Sequence, residues 1–217
     1  GEEFGMPIGT AVTGNELLDA DRMEFYKTQF DIFTPGNEMK PDYLLNVAGC
    51  KSAVKKTGDE TQVVVKFDTC VPLLKWAQEN GVKVHGHTLI WHSQTPKQFF
   101  HEGYNSTSPL VTREVMLARM ENYIKQVLTW TEENYPGVIV SWDVVNEAVA
   151  DGSTQLRTSN WTKVVGQDFV NRAFEYARKY APEGCLLYYN DYSTPYEPKL
   201  TGICNLLDSL IADGNID

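Results

Sequence analysis

Polar side chains interrupt and end an apolar run in the middle of the chain. The run Ser141–Val149 (SWDVVNEAV) contains Asp143 inside it and Asn146-Glu147 near its end. Burying an unpaired carboxylate is costly, so such a group needs a partner or a chemical role. Glu147 follows an apolar strand, where partial desolvation suits a general acid, and the Asn146 amide can hydrogen-bond a ligand hydroxyl. The alternative for Glu147 is a carboxylate neutralised by a neighbouring Arg or Lys.

A second pair of polar residues, Asn37 and Lys40, stands in the first quarter of the chain. Alone, Lys40 would be interpreted as a solvated surface charge. Beside Asn37 and facing a cleft, it becomes a donor for sugar hydroxyls. A serine hydrolase is disfavoured because the chain has no Gly-x-Ser-x-Gly motif, and glycine-rich phosphate-binding loops are also absent.

Three histidines, His85, His87 and His92, raise the question of a metal site, since histidine is the commonest metal ligand. No further His or Cys is poised at another strand end, and Trp91 beside them indicates an apolar floor for a ring. We therefore predict hydrogen-bonding histidines and no metal or other cofactor. For His92 we expect a core residue bonded to the backbone.

The composition restricts the class of partner. The chain has 217 residues, 42% of them hydrophobic, which is enough for one sizeable core and predicts a single domain over residues 1–217. Its formal charge of −10 disfavours nucleic acid and anionic membranes as partners and favours a neutral or cationic ligand. No apolar run is long enough to span a bilayer.

The four cysteines stand far apart, with no Cys-x-x-Cys pair: Cys50, Cys70, Cys185 and Cys204. Zinc sites and dithiol redox motifs need close pairs, so neither is supported. One or two disulfides and simple buried thiols both stay open, with buried thiols slightly favoured.

The apolar periodicity alternates between strand-like and helix-like along the chain. The predicted strands are Met6–Val12, Asp31–Thr34, Val82–Trp91, Val138–Val145 and Leu186–Tyr189. The predicted helices are Leu17–Phe30, Asp68–Asn80, Thr112–Asn134, Asp168–Tyr180 and Lys199–Asp213. The polar, Lys-rich segment Ala48–Gln62 is predicted to be a surface insertion.

Strand–helix alternation predicts parallel strands joined by crossover helices. In such folds functional groups gather where the strands end. Four of the predicted strands end in polar stretches: Asn37–Lys40, His85–Gln94, Asn146-Glu147 and Asn190–Tyr192. These stretches are therefore expected to meet at one edge of the sheet.

Three of these stretches resemble the successive signature blocks of glycoside hydrolase family 10, the endo-β-1,4-xylanases. The blocks are Gly86–Gln94 (GHTLIWHSQ), Trp142–Ala148 (WDVVNEA) and Tyr189–Tyr192 (YNDY), and the likeness extends over nearly the whole chain. The resemblance implies a (β/α)8 TIM-type barrel that cleaves xylan with retention, using one Glu as acid/base and a second as nucleophile.

The resemblance also implies residue roles. Glu147 matches the acid/base, Asn146 the amide that binds the sugar 2-hydroxyl, and Tyr192 an aromatic on the leaving-group side. The positions that match sugar contacts on the glycone side are Asn37, Lys40, His87, Trp91 and Gln94. The implied partner is xylan or a xylo-oligosaccharide.

Four positions depart from the family pattern. Gly36 stands in place of a usual Glu and Pro41 in place of a usual Trp. Gln98 replaces an aromatic residue, and Ser193 replaces a common Asn. These departures predict glycone-side binding that is weaker or shaped for a decorated xylan.

The family's nucleophile belongs to the end of a seventh strand, whereas this sequence predicts five βα units. Asp191 is the one acidic residue after Glu147 at a predicted strand end, and the family gives it a supporting place. We therefore expect the N-terminal five βα units of a barrel, which need the C-terminal part of the same barrel and are inactive alone. The alternative is a catalytically inactive carbohydrate-binding fragment.

We further expect a secreted protein that is extracellular, periplasmic or held at the cell surface. Gly1-Glu2-Glu3 lacks the basic and hydrophobic regions of a signal peptide. If the native protein is secreted, we expect this sequence to be its processed form.

Overall fold

The structure is a computed structural model that describes residues 6–217, so the argument about Gly1-Glu2-Glu3 lies outside the described residues. It contains one parallel five-stranded sheet in the order β1-β2-β3-β4-β5. The strands are β1 (Gly9–Val12), β2 (Ile32–Pro35), β3 (Lys83–Trp91), β4 (Ile139–Asn146) and β5 (Leu186–Asn190).

The helices are α1 (Ala20–Gln29), α2 (Pro41–Leu44), α3 (Val47–Thr57), α4 (Val71–Asn80), α5 (Arg113–Asn134), α6 (Asn160–Val164), α7 (Phe169–Tyr180) and α8 (Lys199–Asp213). Short 3₁₀ turns cover Glu16–Leu18, Lys97–Phe100 and Glu102–Tyr104. Because every strand runs parallel to its sequence neighbour, each connection is a crossover that contains at least one α-helix. The predicted fold class, an α/β fold of five βα units with parallel strands, is confirmed.

Side-chain caps and left-handed glycines set several helix ends. The Thr112 hydroxyl accepts from Val115 N at the start of α5, and Ser159 forms a capping box with Thr162 at the start of α6. Gly81 ends α4 in a left-handed conformation with φ +68°, which glycine adopts without steric cost. These local signals explain why the predicted and observed bounds of the long helices nearly coincide.

The prediction of a surface insertion at Ala48–Gln62 is wrong over most of its length. Residues 47–57 form helix α3, whose first turn is capped by the Asn46 side chain. Cys50 and Val54, four residues apart, point into the core and anchor the helix. The lysines that suggested a surface insertion occupy the other, exposed face of this helix. The short helices α2 and α6 were not predicted.

Strands β3 and β4 pack unusually closely around one glycine. A Cβ added to Gly86 would lie 2.3 Å from the ring of Trp142, which is itself only 1% exposed. Only glycine fits at this position. The contact also belongs to a ladder in which His87 pairs with Asp143 and Trp91 pairs with Asn146.

Within the described residues, β1 and β5 each have one neighbouring strand, so the sheet is open along both edges. Thr34, His85, Ser141 and Tyr188 lie in a trough on the sheet face that no described helix lines. The helices pack against the opposite face.

All four cysteines are unpaired thiols. Cys50, Cys70 and Cys185 are buried, as the favoured sequence alternative expects, whereas Cys204 is exposed. Among residues 6–217, none of the helices is both long and apolar enough to cross a membrane.

Candidate active site

The register of the sheet places the polar strand ends side by side. Asn146 at the end of β4 pairs with Trp91 at the end of β3 on one side and with Asn190 of β5 on the other. The Asn190 side-chain amide donates to Asn146 Oδ1 at 2.7 Å. Because parallel strands share one carboxyl edge, three of the sequence blocks converge there.

Glu147 lies directly after β4 and its carboxylate meets the indole of Trp91. Trp91 Nε1 donates to Glu147 Oε2 at 2.9 Å. The Glu147 backbone is left-handed, with φ +56°, and its N–H donates to the Asn190 carbonyl at 2.8 Å. A non-glycine residue in this conformation is uncommon, and such residues cluster at functional sites.

Asn37 and Lys40 lie next to this pair, on the loop that follows β2. Lys40 Nζ donates to Asn37 Oδ1 at 3.0 Å and stands 5.0 Å from the ring centroid of Trp91. Burial lowers the pKa of Lys40, against the opposing effects of the Glu147 and Glu38 carboxylates. Asn37, Lys40, Trp91 and Glu147 thus form one continuous group of donors and acceptors.

Asp143, the carboxylate inside β4, has two histidine partners. His87 Nδ1 lies 2.8 Å and His85 Nε2 lies 3.0 Å from the same oxygen, Oδ2. His85 Nδ1 lies 2.7 Å from Ser141 Oγ. Burial by itself would raise the pKa of Asp143, but the hydrogen bonds from the two histidines outweigh it and leave the pKa lowered. Asp143 is therefore a partnered carboxylate that orients His85 and His87.

The loop after β5 is attached to the Glu147 loop by a hydroxyl. Tyr189 Oη accepts from Ala148 N at 2.9 Å and from Val149 N at 3.2 Å, and donates to Asp191 Oδ2. Asp191 Oδ1 also pairs with Lys199 Nζ at 2.8 Å, and the Asp191 side chain is only 1% exposed. Both Asp191 oxygens are thereby occupied, and no face of the carboxylate is free to attack a sugar.

Tyr192 is 42% exposed at the edge of this cleft. Its hydroxyl donates to Asp151 and accepts from Arg157 Nη2 at 3.0 Å, while Lys199 Nζ lies 3.6 Å from its ring centroid. Hydrogen bonds from Tyr192 and Lys199 lower the pKa of Asp151 to about 2. Tyr192 is therefore held in one orientation from several sides.

Two candidate residues, Gln94 and His92, lack side-chain hydrogen bonds to the rest of the candidate site among the described residues. Gln94 lies on the loop after β3, where its carbonyl accepts from Asp42 N at 3.0 Å, but its side chain makes no hydrogen bond to the other candidate residues among those described. The backbone bond expected for His92 is missing at Nδ1, which is buried without a partner among the described residues. Burial, followed by the Arg157 charge, lowers the pKa of His92.

In the part of the chain that the structure describes, no group of three or more His, Cys, Asp or Glu side chains is arranged to hold a metal ion. His85 and His87 instead share the Asp143 carboxylate.

Sequence reasoning missed three residues that shape this edge of the cleft: Asp151, Arg157 and Lys199. A paired acid and base six residues apart, directly after the Trp142–Ala148 block, is a weak signal for the first two. No local sequence signal distinguishes Lys199. Its position at the start of a helix predicts an exposed side chain, yet that side chain is only 3% exposed.

Comparison with known proteins gives consistent matches. The sequence model of glycosyl hydrolase family 10 matches residues 2–217. The chain is 42% identical to endo-1,4-beta-xylanase B of Butyrivibrio fibrisolvens, over 95% of this chain and 33% of that protein. It is 45% identical to a putative endo-1,4-beta-xylanase of Caldicellulosiruptor saccharolyticus, over 82% of this chain and 56% of that protein. It thus spans between a third and three fifths of these relatives.

Solved structures of xylanases also match this chain. The CBM22-1–GH10 modules of Clostridium thermocellum endo-1,4-beta-D-xylanase 10B, complexed with xylohexaose, superpose with a TM-score of 0.89 at 31% identity, covering 98% of this chain and 42% of that one. A mutant of an intracellular xylanase from Thermoanaerobacterium saccharolyticum, complexed with xylotriose, gives a TM-score of 0.82 at 30% identity, covering 98% of this chain and 62% of that one. The chain belongs to glycosyl hydrolase family 10.

Proposed function

We propose that the protein containing this chain is a retaining endo-β-1,4-xylanase and that Glu147 is its general acid/base. The observation that supports this most directly is the Trp91–Glu147 hydrogen bond of 2.9 Å at the convergence of three strand ends. An indole N–H holds the carboxylate in one rotamer, toward the cleft that also contains Asn37 and Lys40. A fixed carboxylate in such a cleft is what proton transfer to a glycosidic oxygen requires.

The proposed reaction has two proton transfers at Glu147. In the first step Glu147 protonates the glycosidic oxygen as the bond to the anomeric carbon breaks and a second carboxylate forms a glycosyl-enzyme. In the second step the Glu147 carboxylate removes a proton from the water that hydrolyses this intermediate. Asn146 would bind the sugar 2-hydroxyl and Tyr192 the leaving-group sugar. The proposed glycone-side contacts are Asn37, Lys40, His87, Trp91 and Gln94.

The second carboxylate is proposed to be a Glu in a C-terminal part of the same barrel. A retaining enzyme needs its two carboxyl groups about 5–5.5 Å apart. Asp191, the internal candidate, is occupied by Lys199 and Tyr189 and is nearly fully buried. On this proposal residues 1–217 alone bind xylan weakly and do not hydrolyse it.

A second candidate function is carbohydrate binding without catalysis. One observation favours it: Asn37, Lys40 and Trp91, which could contact a sugar, are already assembled within this chain. The two candidates differ in what the complete protein does to xylan, because a binding fragment leaves the polymer intact.

The test is the stereochemistry of the product. The complete protein is incubated with xylohexaose, and the anomeric proton signals of the products are followed by NMR from the first minutes. Initial release of β-configured reducing ends supports the retaining mechanism. Release of α-configured ends would contradict the two-step scheme, and intact xylohexaose would favour the binding function.

The location is also a proposal. Cleavage of internal bonds in a polymer supports a secreted protein that works outside the cell, in the periplasm or at the cell surface. Fractionation of the native source, with xylanase activity and immunodetection followed together, tests it. A protein confined to the cytoplasm would contradict this location without affecting the proposed chemistry.

A further inference from the structure

We propose that Lys199 is a positioning residue that joins the loops after β4 and β5 and thereby orients both Glu147 and Tyr192 toward the leaving-group sugar. This inference rests on the proposed xylanase function and adds a specificity determinant to it. Lys199 touches neither the reacting atoms nor the substrate face of the cleft, so its effect must pass through other residues.

The first observation is the environment of the Lys199 ammonium. It lies 2.8 Å from Asp191 Oδ1 on the β5 loop and 3.0 Å from Asp151 Oδ1 on the β4 loop. Its side chain is 3% exposed, although it begins a helix at the molecular surface. Two carboxylates from different loops would repel each other, and the buried cation between them removes that repulsion. Lys199 is therefore the electrostatic link between the two loops.

One branch of the link leads to Glu147. Asp191, held by Lys199, accepts a hydrogen bond from Tyr189 Oη, and that hydroxyl accepts from the amides of Ala148 and Val149. These are the two residues directly after Glu147. Because Glu147 has a left-handed backbone, the conformation that aims its carboxylate depends on what fixes the neighbouring peptides.

The other branch leads to Tyr192. Lys199 Nζ covers one face of the Tyr192 ring at 3.6 Å, and Asp151 accepts from the Tyr192 hydroxyl. A cation on one face and an anchored hydroxyl hold the ring at a fixed angle. The remaining exposed part of the ring can then stack on a sugar without losing rotational freedom on binding.

Both branches act on the leaving-group side, which gives the proposal a distinctive kinetic pattern. An oligosaccharide leaving group needs a proton from Glu147 and also contacts Tyr192. An activated aryl leaving group needs no proton and places no sugar against Tyr192. Loss of the Lys199 link should therefore reduce kcat/KM, which reports the first step, much more for the first substrate than for the second.

The experiment compares Lys199→Met with the unmodified complete protein on xylopentaose and on 4-nitrophenyl β-xylobioside. Methionine keeps the length of the side chain and removes its charge. We expect kcat/KM for xylopentaose to fall by about 10- to 100-fold, the size of effect that a misplaced catalytic group produces. For the aryl substrate we expect a loss of less than about threefold. Equal losses on the two substrates, or no loss, would overturn the proposal.

A matched control is Lys179→Met. Lys179 is also ion-paired, to Glu121 at 2.7 Å, and also lies over a tyrosine, Tyr180, at 5.0 Å, but on the outer helices. This variant should have the same kcat/KM as the unmodified protein on both substrates. A selective loss on xylopentaose in this control as well would remove the assignment from Lys199.

A second variant covers the case in which Lys199→Met does not fold. Asp151→Asn removes the charge from the contact of Lys199 with the β4 loop and leaves the buried Lys199–Asp191 pair intact. This variant should fold and should lose kcat/KM selectively on xylopentaose, by about three- to tenfold. An Asp151→Asn protein with unchanged kinetics on both substrates would contradict the link.

A readout independent of activity separates this inference from the proposed function. If the unmodified complete protein does not hydrolyse xylan, the proposed function fails. The link is then judged by amide hydrogen exchange at Ala148 and Val149. Faster exchange at these two amides in Lys199→Met, and to a smaller extent in Asp151→Asn because Asp151 anchors the same β4 loop, but not in Lys179→Met, supports it. Unchanged protection in the folded variants overturns it.

Discussion

At the scale of single residues, the site depends on side chains whose partners restrict them to one geometry. A left-handed backbone at a residue with a Cβ costs about 1–2 kcal/mol, and Glu147 has this conformation where Asn190 and Tyr189 hold the chain on both sides of it. Asp143 is equally constrained, because the rings of His85 and His87 both contact the same oxygen, Oδ2. The carboxylate within β4 and the one directly after it thus have different surroundings: Asp143 is partnered within the sheet, and Glu147 faces the cleft.

The first prediction concerns Glu147 as the acid. In the complete protein, Glu147→Ala should reduce hydrolysis of xylo-oligosaccharides by about 10²- to 10⁴-fold, the contribution of general acid catalysis. Formation of the glycosyl-enzyme from an activated aryl xylobioside should be much less affected, because that leaving group departs without a proton. Stopped-flow measurement of aryl release gives the rate of glycosyl-enzyme formation for this comparison. Equal suppression of both substrates would remove Glu147 from proton transfer.

The second prediction concerns Asp143 and pH. The histidine hydrogen bonds hold the folded-state pKa of Asp143 below 3.8, the value of an unperturbed Asp, so the stability it contributes is present above pH 3.8 and is lost as the pH falls through the folded-state value. Asp143→Asn should cost about 2 kcal/mol at pH 7, the value of hydrogen bonds to a charged group. The difference between the two proteins should shrink below pH 3.8. Urea unfolding at pH 7, 5 and 3.5 measures it, and a constant difference would assign the loss to packing.

At the scale of elements, the contact of β3 with β4 positions the site. The ladder that pairs His87 with Asp143 and Trp91 with Asn146 requires the two strands to approach around Gly86 and Trp142. A shift of one residue in this register would turn the histidines away from Asp143, since side chains alternate between the two faces of a sheet.

The third prediction tests this contact. Gly86→Ala should destabilise the protein by about 3 kcal/mol or more, because overpacking a filled core forces strands or side chains to move. Gly9→Ala in β1 is the milder comparison, since its added Cβ would lie 3.2 Å from the Ile32 carbonyl oxygen rather than 2.3 Å from a buried ring. Guanidinium unfolding of both variants measures the difference. Equal stabilities would show that Trp142 can move aside.

At the scale of the whole molecule, the open sheet edges and the missing second carboxylate have the same explanation under the proposed function. Ile8, directly before β1, is 46% exposed and Leu186 on β5 is 42% exposed. Unpaired edges with exposed apolar side chains favour association with further strands. A C-terminal part of the same barrel would cover both edges and bring a carboxylate opposite Glu147.

The fourth prediction follows from this arrangement. Residues 1–217 produced alone should show no xylan hydrolysis, and addition of the remaining barrel as a separate polypeptide should restore it. The physical reason is that Asp191, the acidic residue directly after β5, is buried and paired and therefore does not face Glu147 as a free nucleophile. Reducing-sugar release from xylan measures it. Robust hydrolysis by residues 1–217, abolished by Asp191→Asn, would make Asp191 the partner of Glu147 and contradict the proposal.

Local patterns in the sequence were sufficient for the order of the elements and for the family. Apolar periodicity, caps and glycines act over a few residues, so the five strands and the long helices could be placed within a few residues of their observed bounds. The blocks around His87, Glu147 and Asp191 are likewise contiguous. The failure at α3 has a local cause: its lysines dominate the composition, and only the burial of Cys50 and Val54 reveals the helix.

The tertiary structure alone decided which of these residues are partners. Trp91 and Glu147 are 56 residues apart, as are His87 and Asp143, and only the register of β3 on β4 brings each pair together. Lys199 is the extreme case. Its neighbours in sequence suggest an exposed charge at a helix start, yet its side chain is buried because two loops from different strands converge on it. Burial and pairing are properties of that convergence, and no short stretch of the sequence contains them.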